Sequence, residues 1–192
     1  MAASKLNVLS ICGSLRKGSY NAMVARALPG LAPEGMSITE APPYADFPIY
    51  NFDFQQEQGI PASVVTLGEA IRAADGVVIV SAEYNFSVPS GLKNAIDWLS
   101  RIKEPSLFSG KPFAIQSATT GPVGGARMQY HLRQILAGLD AYILNKPEIF
   151  VSNARSKVDE QKRELTDETT RDFIRKQLAA FALFIERVRA KG

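Results

Sequence analysis

Four consecutive β-branched residues, Val77-Val78-Ile79-Val80, bounded by Gly76, constrain this chain more than any other stretch. They read as a strand. Further short apolar runs over residues 6–11, 36–40, 113–115 and 142–144 read the same way. Helical periods fill the gaps between them: residues 21–31, stopped by the prolines at 29 and 33; 61–74, with Pro61 in the first turn; 91–101, with Leu92, Ile96 and Leu99 on one face; and 126–139. The polar stretch 152–165 reads as a loop. Thr166 is expected to cap a last helix whose first turn holds Asp167 and Glu168, with Ile174, Leu178, Phe181, Ile185 and Val188 forming one stripe. Strands alternating with helices predict an α/β fold: a doubly wound five-stranded parallel sheet, order 2-1-3-4-5, helices on both faces.

The 192 residues fit one domain, taken as 1–192, and 46% apolar residues suffice for its core without disulfides or metal. The single cysteine, Cys12, leaves no partner for an intramolecular disulfide and suits a reducing, cytoplasmic setting. The apolar stretch after Met1-Ala2-Ala3-Ser4-Lys5 is too short for a signal segment, and no run approaches the ~18 apolar residues of a membrane span. The net charge of +3 comes from Lys and Arg interleaved with Asp and Glu, a solvated surface rather than a nucleic-acid stripe.

In a doubly wound sheet the ligand lies beyond the carboxyl ends of the strands, beside the point where the order reverses. Three loops fall there. The first is Gly13-Ser14-Leu15-Arg16-Lys17-Gly18-Ser19-Tyr20-Asn21, which leaves a strand and opens a helix. Helix-start amides bind anions, Ser14, Ser19 and Asn21 add short polar groups, and Arg16 presents a fork of donors. Gly13 and Gly18 have P-loop spacing, but Ser19 stands where the lysine belongs; Leu15 stands where a dinucleotide fingerprint needs its second glycine. A phosphate site lacking both devices suits flavin mononucleotide. Glu40, the remaining candidate for a ribose contact, reads as a strand-end surface residue. In the second loop, residues 82–89, Tyr84 and Phe86 are placed to wall an aromatic ring, and the backbone near Glu83 to Asn85 to meet its polar edge. The third loop, residues 117–125, brings hydroxyls at Ser117 and Thr119 and the positive end of a helix, suited to charge on a reduced flavin.

Together the loops resemble the NADPH-dependent FMN reductase family, in its bacterial quinone and chromate reductase branch. The matching stretches are residues 13–21, residues 83–89 running into Leu92-Lys-Asn-Ala-Ile-Asp-Trp98, and Gly124-Gly-Ala-Arg127 with Tyr130-His-Leu-Arg133. Ala82 and Ser90 depart from that pattern, where the family usually has Pro and often Gly. The resemblance implies a flavodoxin-like fold and tight, non-covalent FMN, with NADPH or NADH as electron donor. It implies phosphate contacts at Ser14, Arg16, Ser19 and Asn21, with Tyr20 counted among the loop's cofactor residues. It implies isoalloxazine contacts at Glu83, Tyr84, Asn85 and Phe86, and further contacts at Ser117 and Thr119. It also implies homodimers, often paired into homotetramers, with the flavin near a subunit boundary.

The expected reaction passes two electrons, by a ping-pong scheme, to small acceptors such as quinones, chromate or other metal oxyanions, azo compounds or free flavin. The flavin carries the chemistry, and no catalytic side chain is expected. Cys12 and His131 are not placed together as a nucleophile pair, no metal-ligand spacing occurs, and no G-x-S-x-G surrounds Ser14. The alternative is a non-enzymatic flavodoxin-type electron carrier, though such carriers are usually acidic; a flavin-binding regulatory module is a third reading. The irregular segment 41–59, with Tyr44, Phe47, Tyr50, Phe52 and Phe54, is expected to pack near the flavin and reach a partner subunit, the alternative being that it covers its own sheet edge.

Overall fold

The computed structural model describes residues 5–190. Met1 to Ser4, read above for targeting, lie outside them, as do Lys191 and Gly192. The strands are β1 (Leu6–Cys12), β2 (Met36–Glu40), β3 (Gly76–Ser81), β4 (Pro112–Ala118), β5 (Tyr142–Ile143) and β6 (Ile149–Val151). They hydrogen-bond in the order β2-β1-β3-β4-β5, all parallel, with β6 also on β4. β3 is buried at every position, as a strand covered on both faces must be.

Helices cover both faces. α1 (Tyr20–Ala27) and α6 (Glu168–Arg189) lie on one, packing Val24, Leu28, Ile174, Leu178 and Phe181 against Val8, Val78 and Val80. On the other, α3 (Ala62–Ala73), α4 (Ser90–Leu99) and α5 (Ala126–Gly138) pack Leu67, Leu92, Trp98 and Leu132 against Leu9, Ile79 and Ile115. The α6 stripe is fully buried at Ile174, Leu178, Phe181 and Ile185; Val188 is half-buried.

Four expectations need correction. The fifth strand is split. β5 pairs with Pro112 and Phe113, the chain leaves the sheet around Pro147, and β6 returns to pair with Gln116 to Ala118. A proline lacks the amide a ladder needs, and two buried glutamines hold the return. Gln177 Nε2 donates to the carbonyls of Pro147 (2.7 Å) and Ile115 (3.3 Å), and Gln177 Oε1 accepts from Gln116 Nε2 (2.9 Å).

The cap of α6 is Asp167, not Thr166: its carboxylate accepts from the Thr170 amide at 2.8 Å and the Thr170 hydroxyl at 2.5 Å. Stretch 152–165 contains a hairpin, β7 (Val158–Asp159) with β8 (Glu164–Leu165).

Segment 41–59 contains a helix, α2 (Phe52–Gln58), capped by Asn51. The segment is seated on its own chain. The Tyr44 hydroxyl donates to the Cys12 carbonyl at 2.6 Å, and the Pro48 carbonyl accepts from Trp98 Nε1 at 2.7 Å and Asn94 Nδ2 at 3.0 Å. Tyr50 stands edge-on to Trp98. Ile49 and Phe52 project outward, 87% and 60% exposed.

Candidate functional site

Because the sheet is parallel, the segments leaving β1, β3 and β4 emerge at one edge. Each is tied to another. Gly13 passes so close to β3 that a Cβ there would lie 2.2 Å from Ser81 Oγ. The Asn21 amide side chain grips Ala118 at the end of β4, donating to its carbonyl (2.9 Å) and accepting from its N–H (2.8 Å). The buried Glu83 carboxylate reaches α5, accepting from Arg127 Nε at 2.7 Å and the Met128 amide at 3.1 Å.

The first loop is a backbone cradle. Ser19 caps α1, its hydroxyl accepting from the amides of Asn21 (3.2 Å) and Ala22 (3.4 Å). Among the described residues, the amides of Ser14 to Gly18 find neither a backbone nor a side-chain acceptor. A run of free donors beside a helix start forms an anion site. Ser14 is buried at its base, and exposed Arg16 leans on the Tyr20 ring, 5.5 Å from its centroid. The Tyr20 hydroxyl donates to Glu160 at 2.5 Å, which raises its pKa above the ordinary phenol value.

The second loop is a two-residue turn. Tyr84 and Ser87 exchange both backbone hydrogen bonds (3.1 and 2.9 Å), with Asn85 and Phe86 at φ 48° and 67° between them. Two positive φ values define a type I′ turn. Asn tolerates that region; Phe does not, at a cost of order 1–3 kcal/mol. α5 holds the strained turn in place: the Arg127 guanidinium lies 3.8 Å from the Phe86 ring centroid, and His131 Nδ1 hydrogen-bonds Ser87 Oγ at 2.8 Å. Tyr84 and Phe86 remain 50% and 68% exposed, an apolar surface kept in water.

The third loop turns at Gly124 and Gly125, both at positive φ, and a Cβ on Gly125 would meet Ser117 at 2.8 Å. The Ser117 hydroxyl is buried, donating to the Gly124 carbonyl (2.6 Å) and accepting from Gln129 Nε2 (2.7 Å). Thr119 is fastened to β6 and to the turn beyond it: its amide donates to the Val151 carbonyl (3.0 Å) and its carbonyl accepts from the Ala154 amide (2.9 Å).

All eleven candidates named from the sequence thus lie at one sheet edge, in unequal roles. Ser19, Asn21, Glu83 and Ser117 use their side chains to join and shape the loops. Ser14, Arg16, Tyr84, Asn85, Phe86 and the free amides are what the edge offers a ligand; Thr119 and Tyr20 stand at its margins. Arg127, Gln129 and Ser87 were not singled out. The pairing of Glu83 with Arg127 spans 44 residues, and nothing in either local stretch announces it. Cys12 packs at its strand end, its thiol donating to the Ser14 carbonyl at 3.5 Å, and burial pushes its pKa up. Among the described residues no cluster of His, Cys, Asp or Glu suits a metal, and no helix is long and apolar enough to cross a membrane. An anion cradle beside exposed aromatics and open loop amides fits a phosphate attached to a flat, polar-edged ring.

Comparison with known proteins bears on that fit. Residues 6–156 match the family described as NADPH-dependent FMN reductase. The chain is 55% identical over 187 residues to a quinone reductase of Escherichia coli K12, covering 97% of this chain and 99% of that one. It is 47% identical to an NAD(P)H-dependent FMN reductase of Pseudomonas aeruginosa, covering 96% and 97%. Among solved structures, the flavoenzyme NAD(P)H:(acceptor) oxidoreductase FerB of Paracoccus denitrificans aligns over 95% of this chain and 98% of its own, with TM-score 0.82 and 31% identity. A Pseudomonas aeruginosa flavodoxin aligns over 92% of this chain and 99% of its own, with TM-score 0.55 at 14% identity, a likeness of fold alone.

Proposed function

The chain belongs to the NADPH-dependent FMN reductase family, and from that premise we propose that residues 1–192 form one FMN-binding unit that carries electrons from NAD(P)H to quinones. The observation that carries this reading is the row of unpaired amides at Ser14 to Gly18, facing the same edge as the strained turn at Asn85–Phe86. The amides, Ser14 and Arg16 hold the phosphate; the peptide groups of 83–86 and the Gly-rich loop border the ring; Tyr84 and Phe86 flank the approach. Bound FMN supplies a two-electron couple that takes hydride from a nicotinamide and returns electrons to an acceptor. The chain's own residues hold the phosphate, fix the turn through Glu83 and Arg127, and leave one approach open. Donor and acceptor then use that approach in turn, a ping-pong scheme. Chromate, other metal oxyanions, azo compounds and free flavin are further acceptors on the same logic, since an exposed couple discriminates weakly. A reducing, cytoplasmic setting suits this activity, and homodimers or homotetramers are the proposed assembly. Likeness to flavodoxin, at 14% identity, does not support the carrier reading against reductase relatives at 55% and 47%.

Two measurements test this. The purified protein should carry a flavin absorbance band that bleaches on anaerobic NADPH or NADH and returns with benzoquinone. Double-reciprocal plots at several quinone concentrations should be parallel. A colourless protein that binds no added FMN overturns the cofactor; intersecting lines with a ternary complex overturn the scheme.

A further inference from the structure

Behind the first loop, on the opposite side of β1 from segment 41–59, α1 and β2 enclose a cavity of about 170 Å³. Its floor is Ser10 and Cys12 of β1; Ala22, Ala25, Pro29 and Ile38 form apolar walls. Exposed Arg26 and Glu40 line its solvent side. None of the residues that offer the three loops to a ligand lines it. Ser10 is only 4% exposed, and its hydroxyl has no hydrogen-bond partner among the described residues.

A buried hydroxyl without a partner is costly, on the order of 1–3 kcal/mol, and therefore a strong attractor for a group that bonds to it. The walls are aliphatic, and a cavity of roughly 150 Å³ with such walls takes a benzene ring. Arg26 and Glu40 carry opposite charges, so the entrance selects no net charge. The neighbouring Cys12 thiol is already committed to the Ser14 carbonyl. We propose that this cavity is a second ligand site, for a neutral single-ring phenol whose hydroxyl bonds Ser10 Oγ while its ring lies between Ala22, Ala25 and Ile38. The site and the anion cradle share the β1–α1 junction from opposite sides, so the phenol and the flavin do not compete.

Methyl-detected NMR on the protein as purified, titrated with phenol and separately with toluene, tests the site. Phenol is expected to shift the Ala22, Ala25 and Ile38 methyls saturably, equally with and without added FMN. Ser10→Ala should weaken phenol about three- to tenfold, the value of one neutral hydrogen bond, and leave toluene unchanged. Ala25→Leu, which fills the cavity, should abolish both. The absence of saturable shifts at these methyls, meaning a cavity that holds water only, overturns the proposal. So does phenol binding that Ser10→Ala leaves intact, or that added FMN displaces.

Discussion

Arg16 is the one cation among the sequence-named phosphate contacts, and its guanidinium is held by nothing stronger than the Tyr20 ring. Replacing it with Ala removes a charge-assisted bond and disturbs no packing. FMN affinity should fall by about 1.5–3 kcal/mol, while riboflavin, lacking the phosphate, should bind wild type and variant alike. Fluorescence titration of both ligands checks this; equal losses would move the phosphate elsewhere. Phe86 poses the converse case. A bulky residue at φ 67° is strained, and glycine at that position is not. Phe86→Gly should hold or raise the thermal midpoint despite losing the Arg127 stack, yet weaken flavin binding or slow turnover. A variant that loses stability with unchanged flavin affinity would make the residue a packing group. The contrast reflects what a sequence displays. Arg16 and the serines were legible as phosphate chemistry, because their types suit it. The structural service of Asn21 and Glu83 was not, because their partners at Ala118 and Arg127 lie 97 and 44 residues away.

Elements were legible where periodicity was long and obscure where it was short. The stripe of α6 and the β-branched run of β3 left no choice. The split of β5 from β6 was hidden, because two- and three-residue strands have no pattern of their own and depend on Gln116 and Gln177 across the sheet. Adjacent Thr166 and Asp167 are both good caps, and only geometry distinguishes them. Two hydrogen bonds from Thr170 hold the Asp167 carboxyl below the ordinary carboxylate range. A depressed folded pKa means that this contribution is complete above the unfolded carboxylate value of about 3.9 and is lost as pH falls through the lower folded value. Asp167→Ala should cost about 1 kcal/mol at neutral pH. Asp167→Asn, which keeps the cap without the titration, should flatten the acid limb of stability. Urea midpoints from pH 7 down to pH 2 read both effects.

At the scale of the molecule, strand order and helix placement followed from alternation alone, and the site's location from the rule about carboxyl edges. Segment 41–59 was harder, because aromatic residues are wanted equally by a core and by an interface. Tyr44 and Phe47 went to the core; Ile49 and Phe52 stayed in water. If the protein assembles through this segment, Ile49→Ser with Phe52→Ser should lower the sedimentation mass with the circular dichroism unchanged; the wild-type mass and wild-type kinetics together would leave the segment as a cover for its own chain. The ties between loops also govern how the protein is made. The edge draws on residues 13–21, 83–87 and 117–131, and Thr119 is not seated until Val151 and Ala154 are in place. No shorter product of the ribosome contains the pieces of a cofactor site, so flavin loading begins only after about four-fifths of the chain has emerged. A cell short of flavin would therefore accumulate folded, empty protein rather than stalled intermediates, and could charge it later without new synthesis.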